Sequence, residues 1–387
     1  MKIASSSFAM LLLLASPAPF QSKDSDKSCT TDPAPCFPSD CCTSYCYGPK
    51  NVAASPPVGP KTCGGDFVVE VSGFYWSTNE EGLDYAIRND VAVPQVNPTE
   101  GDIQQLNNLI DAKYETFPTH WDFGWKVGIG YVTPCDGWDF KLGWTHYSNY
   151  TPAHLEVEAR DNQTAVLLWS AFNPAQGPVE YATKIDGEWK VTLDMVDLEL
   201  GRAFWNSKRL SLRPSAGLRF ASIGQDLTLE QRGGSFAQDA FNNKVKIDND
   251  YKGAGIRMGL DSLWHLGCGF GIYGKGCGSI LYGRFELDHD EENRLASSPY
   301  SKQKVLETEA RYHASRGILD LALGVQWAAH FCECKYGIAA SLGWEHHLFF
   351  HQNQMWRVNR TGDENTYQQR QGSLATQGWT LRFKFEF

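Results

Sequence analysis

The sequence predicts an all-β fold, an antiparallel up-and-down transmembrane β-barrel of about ten strands preceded by a Cys-rich irregular segment. Three observations carry this. From Asp66 onward, apolar and polar residues alternate with a period of two in many separate segments. The connections between those segments are alternately long and short. Charged residues within them fall on the face opposite the large apolar residues.

The chain opens with Lys2, an apolar run from Phe8 to Ala15, and the small residues Ser16 and Ala18, which read as a secretory signal over residues 1–20. That run is too short to span a bilayer as a helix, and no later window holds the eighteen or so apolar residues a helix needs. Any crossing is therefore made by strands. Residues 21–65 are Pro-rich, lack periodicity and carry Cys29, Cys36, Cys41, Cys42, Cys46 and Cys63. For an exported chain this composition reads as a periplasmic segment stapled by disulfides or bridged to other molecules. A zinc site is the rival, and no CxxC pair supports it.

The barrel is expected over residues 66–387. Its strands read as Asp66–Trp76, His120–Val132, Trp138–Tyr147, Trp189–Phe204, Leu210–Ile223, Tyr251–His265, Phe270–Phe285, Tyr312–Phe331, Tyr336–Leu348 and Leu374–Phe387. The clearest is His120–Val132, where Trp121, Phe123, Trp125, Val127, Ile129 and Tyr131 alternate with Asp122, Gly124, Lys126, Gly128 and Gly130. Within Trp189–Phe204 the apolar phase switches between Met195 and Val196, which predicts a bulge. Long segments (Ser77–Thr119, Ser148–Glu188, Gly224–Asp250, Glu286–Arg311, Phe349–Ser373) alternate with short turns (Thr133–Gly137, Trp205–Arg209, Leu266–Gly269, Cys332–Lys335). Outer-membrane barrels show this asymmetry, with long external loops and short periplasmic turns. His154–Ser170 has room for another hairpin, which would raise the count to about twelve or more strands.

Lys126, Asp139, Lys141, Arg213, Arg219, Arg257, Asp261, Asp320, Arg382 and Lys384 all lie opposite the apolar phase of their strands. On the lipid face a midplane Lys or Arg costs roughly 2–4 kcal/mol, so these residues are expected to line the lumen. In the last strand, Gly378, Leu381, Phe383, Phe385 and Phe387 form a pattern like the C-terminal signal by which outer-membrane barrels are recognised for assembly. Trp76, Trp121, Trp138, Trp205, Trp264, Trp344 and Trp379 fall near strand ends and suit interfacial girdles.

The sequence holds 11 cysteines, so within a single chain at least one is left out of any pairing. Cys135, Cys268, Cys332 and Cys334 lie in or beside the short turns, on the side expected for the N-terminal cluster, and only Cys277 sits within a strand. Cross-links to neighbours and intramolecular staples remain equal alternatives. A net charge of −10 without a basic run excludes a general nucleic-acid binder. No HExxH, GxSxG or phosphate-cradling glycine loop is present, so no enzyme, cofactor or metal is expected. His346, His347 and His351 read as an interfacial or loop-base cluster. Asp288, His289 and Asp290 are the one rim cluster with catalytic residue types.

The runs GFYWSTNEEGLDYAI (Gly73–Ile87), DFGWKVGIGY (Asp122–Tyr131), WDFKLGWTHY (Trp138–Tyr147), DLELGRAFW (Asp197–Trp205), LSLRPSAGLR (Leu210–Arg219), GIRMGLDSLWHLGCGFGIYG (Gly255–Gly274) and LYGRF (Leu281–Phe285) resemble the Legionella-type major outer membrane protein family. Relatives of that family occur in Chlamydia-related bacteria. The resemblance implies a pore-forming barrel in a Gram-negative outer membrane. The Cys-rich stretch departs from the commonest family pattern and looks more like the disulfide-linked envelopes of the chlamydial order. The expected function is passive diffusion of ions and small hydrophilic solutes through a mixed-charge lumen. The alternatives are a closed, disulfide-cross-linked structural barrel and a loop-mediated adhesin. Expected partners are outer-membrane lipid, the permeating solutes and ions, the barrel-assembly machinery, and through disulfides a second copy or Cys-rich envelope proteins.

Overall fold

A computed structural model describes residues 55–58, 65–89, 112–134, 136–157, 164–170, 181–234, 240–296, 299–331, 336–358 and 367–387. The main sheet holds 11 strands. All but the two-residue Phe204–Trp205 form the barrel wall: β1 (Asp66–Glu80), β2 (Trp121–Val132), β3 (Trp138–Glu156), β4 (Lys184–Arg202), β5 (Leu210–Arg232), β6 (Ala240–Gly267), β7 (Phe270–Leu295), β8 (Lys302–Phe331), β9 (Tyr336–Phe349) and β10 (Leu374–Glu386). Each pairs antiparallel with its chain neighbour, and β1 also pairs with β10, for example Tyr75 opposite Trp379. Closure removes both sheet edges at membrane level, which strands in lipid require.

The expected alternation holds where the wall meets lipid. Phe123, Val127 and Ile129 of β2, Leu198 and Leu200 of β4, Ile256 and Met258 of β6, and Leu381 and Phe383 of β10 all point outward and are exposed. Lysine at Val127, which is outward-facing near the middle of β2 and 40% exposed, is expected to destabilise the inserted barrel by about 2–4 kcal/mol. Equilibrium urea unfolding in lipid vesicles measures this.

Several strands run far beyond the bilayer. β8 has 30 residues and β6 has 28, whereas about 9–11 residues suffice to cross. Much of the sequence expected to be long loops, Ser148–Glu188, Gly224–Asp250 and Glu286–Arg311, is therefore strand. The reason is an inversion of faces. On β5, Leu218 and Phe220 point out while Arg213 and Arg219 point in; further up, Ile223, Leu227 and Leu229 point in and are buried. Above the membrane the outer face meets water and the inner face meets protein. Apolar residues consequently move to the inside, and a lipid-face pattern no longer marks the strand. The same inversion replaces the predicted bulge. Met195 and Val196 stay in register with Thr145 and Trp144 on one side and with Ala221 and Phe220 on the other. Val196 faces lipid and Met195 faces the interior with no residue inserted.

The buried interior above the membrane is an apolar core. Trp76, Tyr147, Trp189, Leu193, Ile223, Tyr251, Phe285, Ile318, Phe349 and Leu374 come from nearly every wall strand and share one cluster with inserted residues Leu83, Tyr85, Phe117, Trp169 and Met355. Leu83, Tyr85, Phe117 and Trp169 flank the strands of a small sheet of Lys113–Glu115, Ala86–Asn89, Thr164–Leu167 and Tyr181–Ala182, and Met355 leads into the antiparallel pair Trp356–Val358/Tyr367–Gln369. Trp169 Nε1 donates to the Asp84 carbonyl at 2.7 Å and anchors that insert. Among the described residues of His154–Ser170 no further hairpin enters the wall; Thr164–Leu167 instead joins the small sheet.

Candidate functional site

Period-two alternation on strands from opposite sides of a narrow barrel sends charged side chains into one shared space. Every charged residue expected to line the lumen projects inward, and the structure joins most of them in one network. Arg219 holds Asp197 with Nε and Nη2 at 2.6 and 2.8 Å and meets Asp320 at 2.7 Å through Nη1. Arg257 bridges Asp197 at 3.5 Å and Glu199. Arg213 is bidentate to Asp139, with Nε to Oδ2 at 2.8 Å, and reaches Glu199 and Asp261 at 3.2 Å each. On the far wall, Lys126 and Arg382 converge on Glu345, the latter at 3.3 Å. Lys141 lies 3.7 Å from Glu70, and Lys384 pairs with Glu386. Arg219 and Glu345 are each only 2% exposed.

Sequence reasoning left out Asp197, Glu199, Glu345 and His347 of this network, and Glu70 and Lys275, which border the same space. The signal was present, since Asp197 and Glu199 alternate with Leu198 and Leu200 as strictly as Arg219 does with Leu218 and Phe220. His347 links the two halves. Its Nδ1 lies 2.7 Å from Asp320 Oδ1, and its Nε2 lies 3.5 Å from Glu345 Oε2. This corrects the reading of the three histidines as one interfacial or loop-base cluster. Alternation along β9 puts His347 inside and His346 outside, while His351 sits in the turn beyond, 3.2 Å from the Gln371 carbonyl.

The network borders a half-open cavity of about 170 Å³, lined by Lys126, Arg213, Asp261, Lys275 and Arg382 among others. Tyr273 lies across Gly324 and Gly343, where a side chain would collide with its ring. The cavity ends beneath the apolar core. Trp76 is fully buried at that boundary, stacked on Phe74 at 3.7 Å, with Lys126 Nζ 4.5 Å above its ring and its Nε1 donating to Thr380 Oγ1. Trp76 therefore departs from the predicted girdle, because its strand position faces inward. Trp138, Trp264 and Trp379 face outward and are exposed, and Trp121, Trp205 and Trp344 are partly exposed.

Glu80, above the lipid band on the inner face of β1, accepts a hydrogen bond from Gln225 Nε2 at 2.9 Å. Burial pushes its carboxyl from the ordinary 4.5 up to about 8. A raised folded-state value favours folding below pH 4.5, and that advantage fades as pH rises toward 8. Stability is expected to decline over this window by a few kcal/mol, at about 1.4 kcal/mol per unit. Glu80→Gln should flatten the decline, as urea midpoints measured from pH 5 to 9 would show.

The Asp288–His289–Asp290 group does not converge. His289 is buried inside β7, and its two neighbours point to the other face, as alternation dictates. Of the cysteines proposed for cross-links, Cys29, Cys36, Cys41, Cys42, Cys46, Cys63, Cys135, Cys332 and Cys334 lie outside the described residues; Cys268 occupies the β6–β7 turn with φ 51°. Cys277 is buried and free on the lumen side of β7. Leu381, Phe383, Phe385 and Phe387 form an exposed outward row at the end of the chain, and Gly378 pairs with Trp76 and Glu345.

None of the curated proteins compared matches the chain. Among solved structures it is similar to the Escherichia coli outer membrane protease OmpT, with 9% identity and a TM-score of 0.37 over 83% of this chain and 96% of that one. It is also similar to a Pseudomonas aeruginosa FadL homologue, with 6% identity and a TM-score of 0.24 over 83% and 90%. The Pseudomonas putida toluene transporter TodX aligns with 9% identity and a TM-score of 0.25 over 87% and 94%. These are distant likenesses and carry no activity to this chain. Residues 64–387 match the model of the Legionella pneumophila major outer membrane protein precursor family, and with its lipid-facing band and closed strand order the chain belongs to that family of Gram-negative outer-membrane barrels.

Proposed function

We propose that the protein is a gated outer-membrane pore for ions and the smallest hydrophilic solutes, closed in this state by its own apolar core. The observation that carries this is the 170 Å³ charged cavity ending under a continuous buried cluster. Mixed charges lining a lumen bias which ions enter, and an apolar constriction blocks passage by excluding water. Wide porins of about 16–18 strands keep an open aqueous channel, whereas a barrel this narrow is largely filled by its own side chains. Conduction on this reading requires the inserted sheet to move.

Single-channel recording in planar bilayers tests it. The wild type is expected to give brief, small steps. A variant with Leu83–Phe117 replaced by a short Gly/Ser linker should give sustained steps proportional to salt. The fully buried core favours a second reading, a closed structural barrel of the envelope. If both proteins are folded and heat-modifiable but never conduct, that second reading stands. The proposed partners are lipid around the apolar band, the assembly machinery reading Gly378–Phe387, and a second copy or Cys-rich envelope protein joined through the cysteines. Monomer alone on non-reducing electrophoresis of whole envelopes would remove the disulfide partner.

A further inference from the structure

A second cavity, of about 300 Å³, lies above the membrane where β6, β7 and β8 adjoin, bordered by Ile247, Leu287, His289, Thr308, Ala310 and Trp356. Strand register creates it: His289 is directly opposite Ile247 on one side and Thr308 on the other, and Leu287 is opposite Ala310. Ile247, Leu287 and His289 are 5% exposed or less. Trp356, from the short hairpin, and Thr308 are exposed and form its open side.

The cavity surface is mostly apolar, although Asp288 and Glu309 also border it, and one buried polar atom on it is left without a partner. His289 Nε2 is buried and has no hydrogen-bond partner. A buried polar atom without a partner is costly and uncommon in a folded protein, and points to an absent molecule or to a function. Burial also pushes the imidazole down to about 4, so it is neutral at physiological pH and suits a neutral ligand. An apolar cavity of about 150 Å³ is enough for benzene, so this one holds a single substituted ring or a small bicycle. A hydroxyl both donates and accepts, and therefore satisfies Nε2 in either tautomer.

We propose that this cavity is a binding site for small neutral phenols, with the ring between Trp356 and the Leu287–Ala310 wall and the hydroxyl on His289 Nε2. The site is independent of whether the lumen conducts.

The full mature chain in lipid nanodiscs can be titrated with 4-fluorophenol and, as a matched probe lacking the hydroxyl, 4-fluorotoluene, both followed by fluorine NMR. Wild type is expected to bind 4-fluorophenol saturably and about fivefold more tightly than 4-fluorotoluene, the ratio one net hydrogen bond supplies. His289→Leu should erase that preference, and Ala310→Leu, which fills the cavity, should abolish saturable binding of both probes. The wild-type comparison needs no variant and so stands even if a substitution prevents folding. Non-saturating uptake of 4-fluorophenol by wild type, matching that of empty nanodiscs, would overturn the site. Saturable binding with no preference between the probes would overturn the role of His289.

Discussion

Arg219→Leu is expected to destabilise the barrel by about 3–5 kcal/mol, the cost of removing one partner from a buried ion pair. Arg219 is 2% exposed and holds Asp197 and Asp320 at 2.6–2.8 Å. Leucine would leave both carboxylates short of a cation. Asp197 would keep Arg257 at 3.5 Å, and Asp320 would keep His347 at 2.7 Å. Neither of these contacts, nor Arg257 at 4.0 Å from Asp320, replaces a bidentate guanidinium. The loss should appear as a lower urea midpoint in vesicles and a lower temperature for the electrophoretic band shift. Adding Asp197→Asn should recover part of it, because the uncompensated charge falls by one. If the double variant were no more stable than the single, the ionic network would not be what is being measured.

Trp76→Ala is expected to cost a similar amount, about 3–5 kcal/mol, for a different reason. The indole is fully buried where the charged cavity ends and the apolar core begins, packed on Phe74 and 4.6 Å from the His347 ring. Its removal opens a void between the two layers, withdraws the ring face from Lys126 and leaves Thr380 Oγ1 without its donor. Trp76→Phe should keep most of the packing and lose mainly the hydrogen bond. If Trp76 seals the boundary, the alanine variant should also raise the resting leak of vesicles above wild type, and the phenylalanine variant should not. Equal leak in all three proteins would separate the packing role from the seal.

These two sites also show how far the sequence could be read. The transmembrane barrel, the outward set from Phe123 to Ile129 and the inward set from Arg213 to Arg219 follow from a period of two and from the cost of charge in lipid, both properties of neighbouring residues. The same rule misassigned the upper strands, because above the bilayer the two faces exchange environments while the alternation itself continues unbroken through Met195 and Val196. It also misplaced His289, whose acidic neighbours are adjacent in sequence and on opposite faces in space.

The sequence by itself determined which segments are strands at membrane level and which face of each meets lipid, since those depend on side-chain alternation over a few residues. Only the tertiary structure decided that Lys126 meets Glu345, 219 positions away, that His347 bridges Asp320 to Glu345, and that Leu83, Tyr85 and Phe117 pack into the upper interior. Those contacts depend on where barrel closure places strands far apart in the chain, and on the height at which the inner face changes from charged to apolar. No local pattern encodes either.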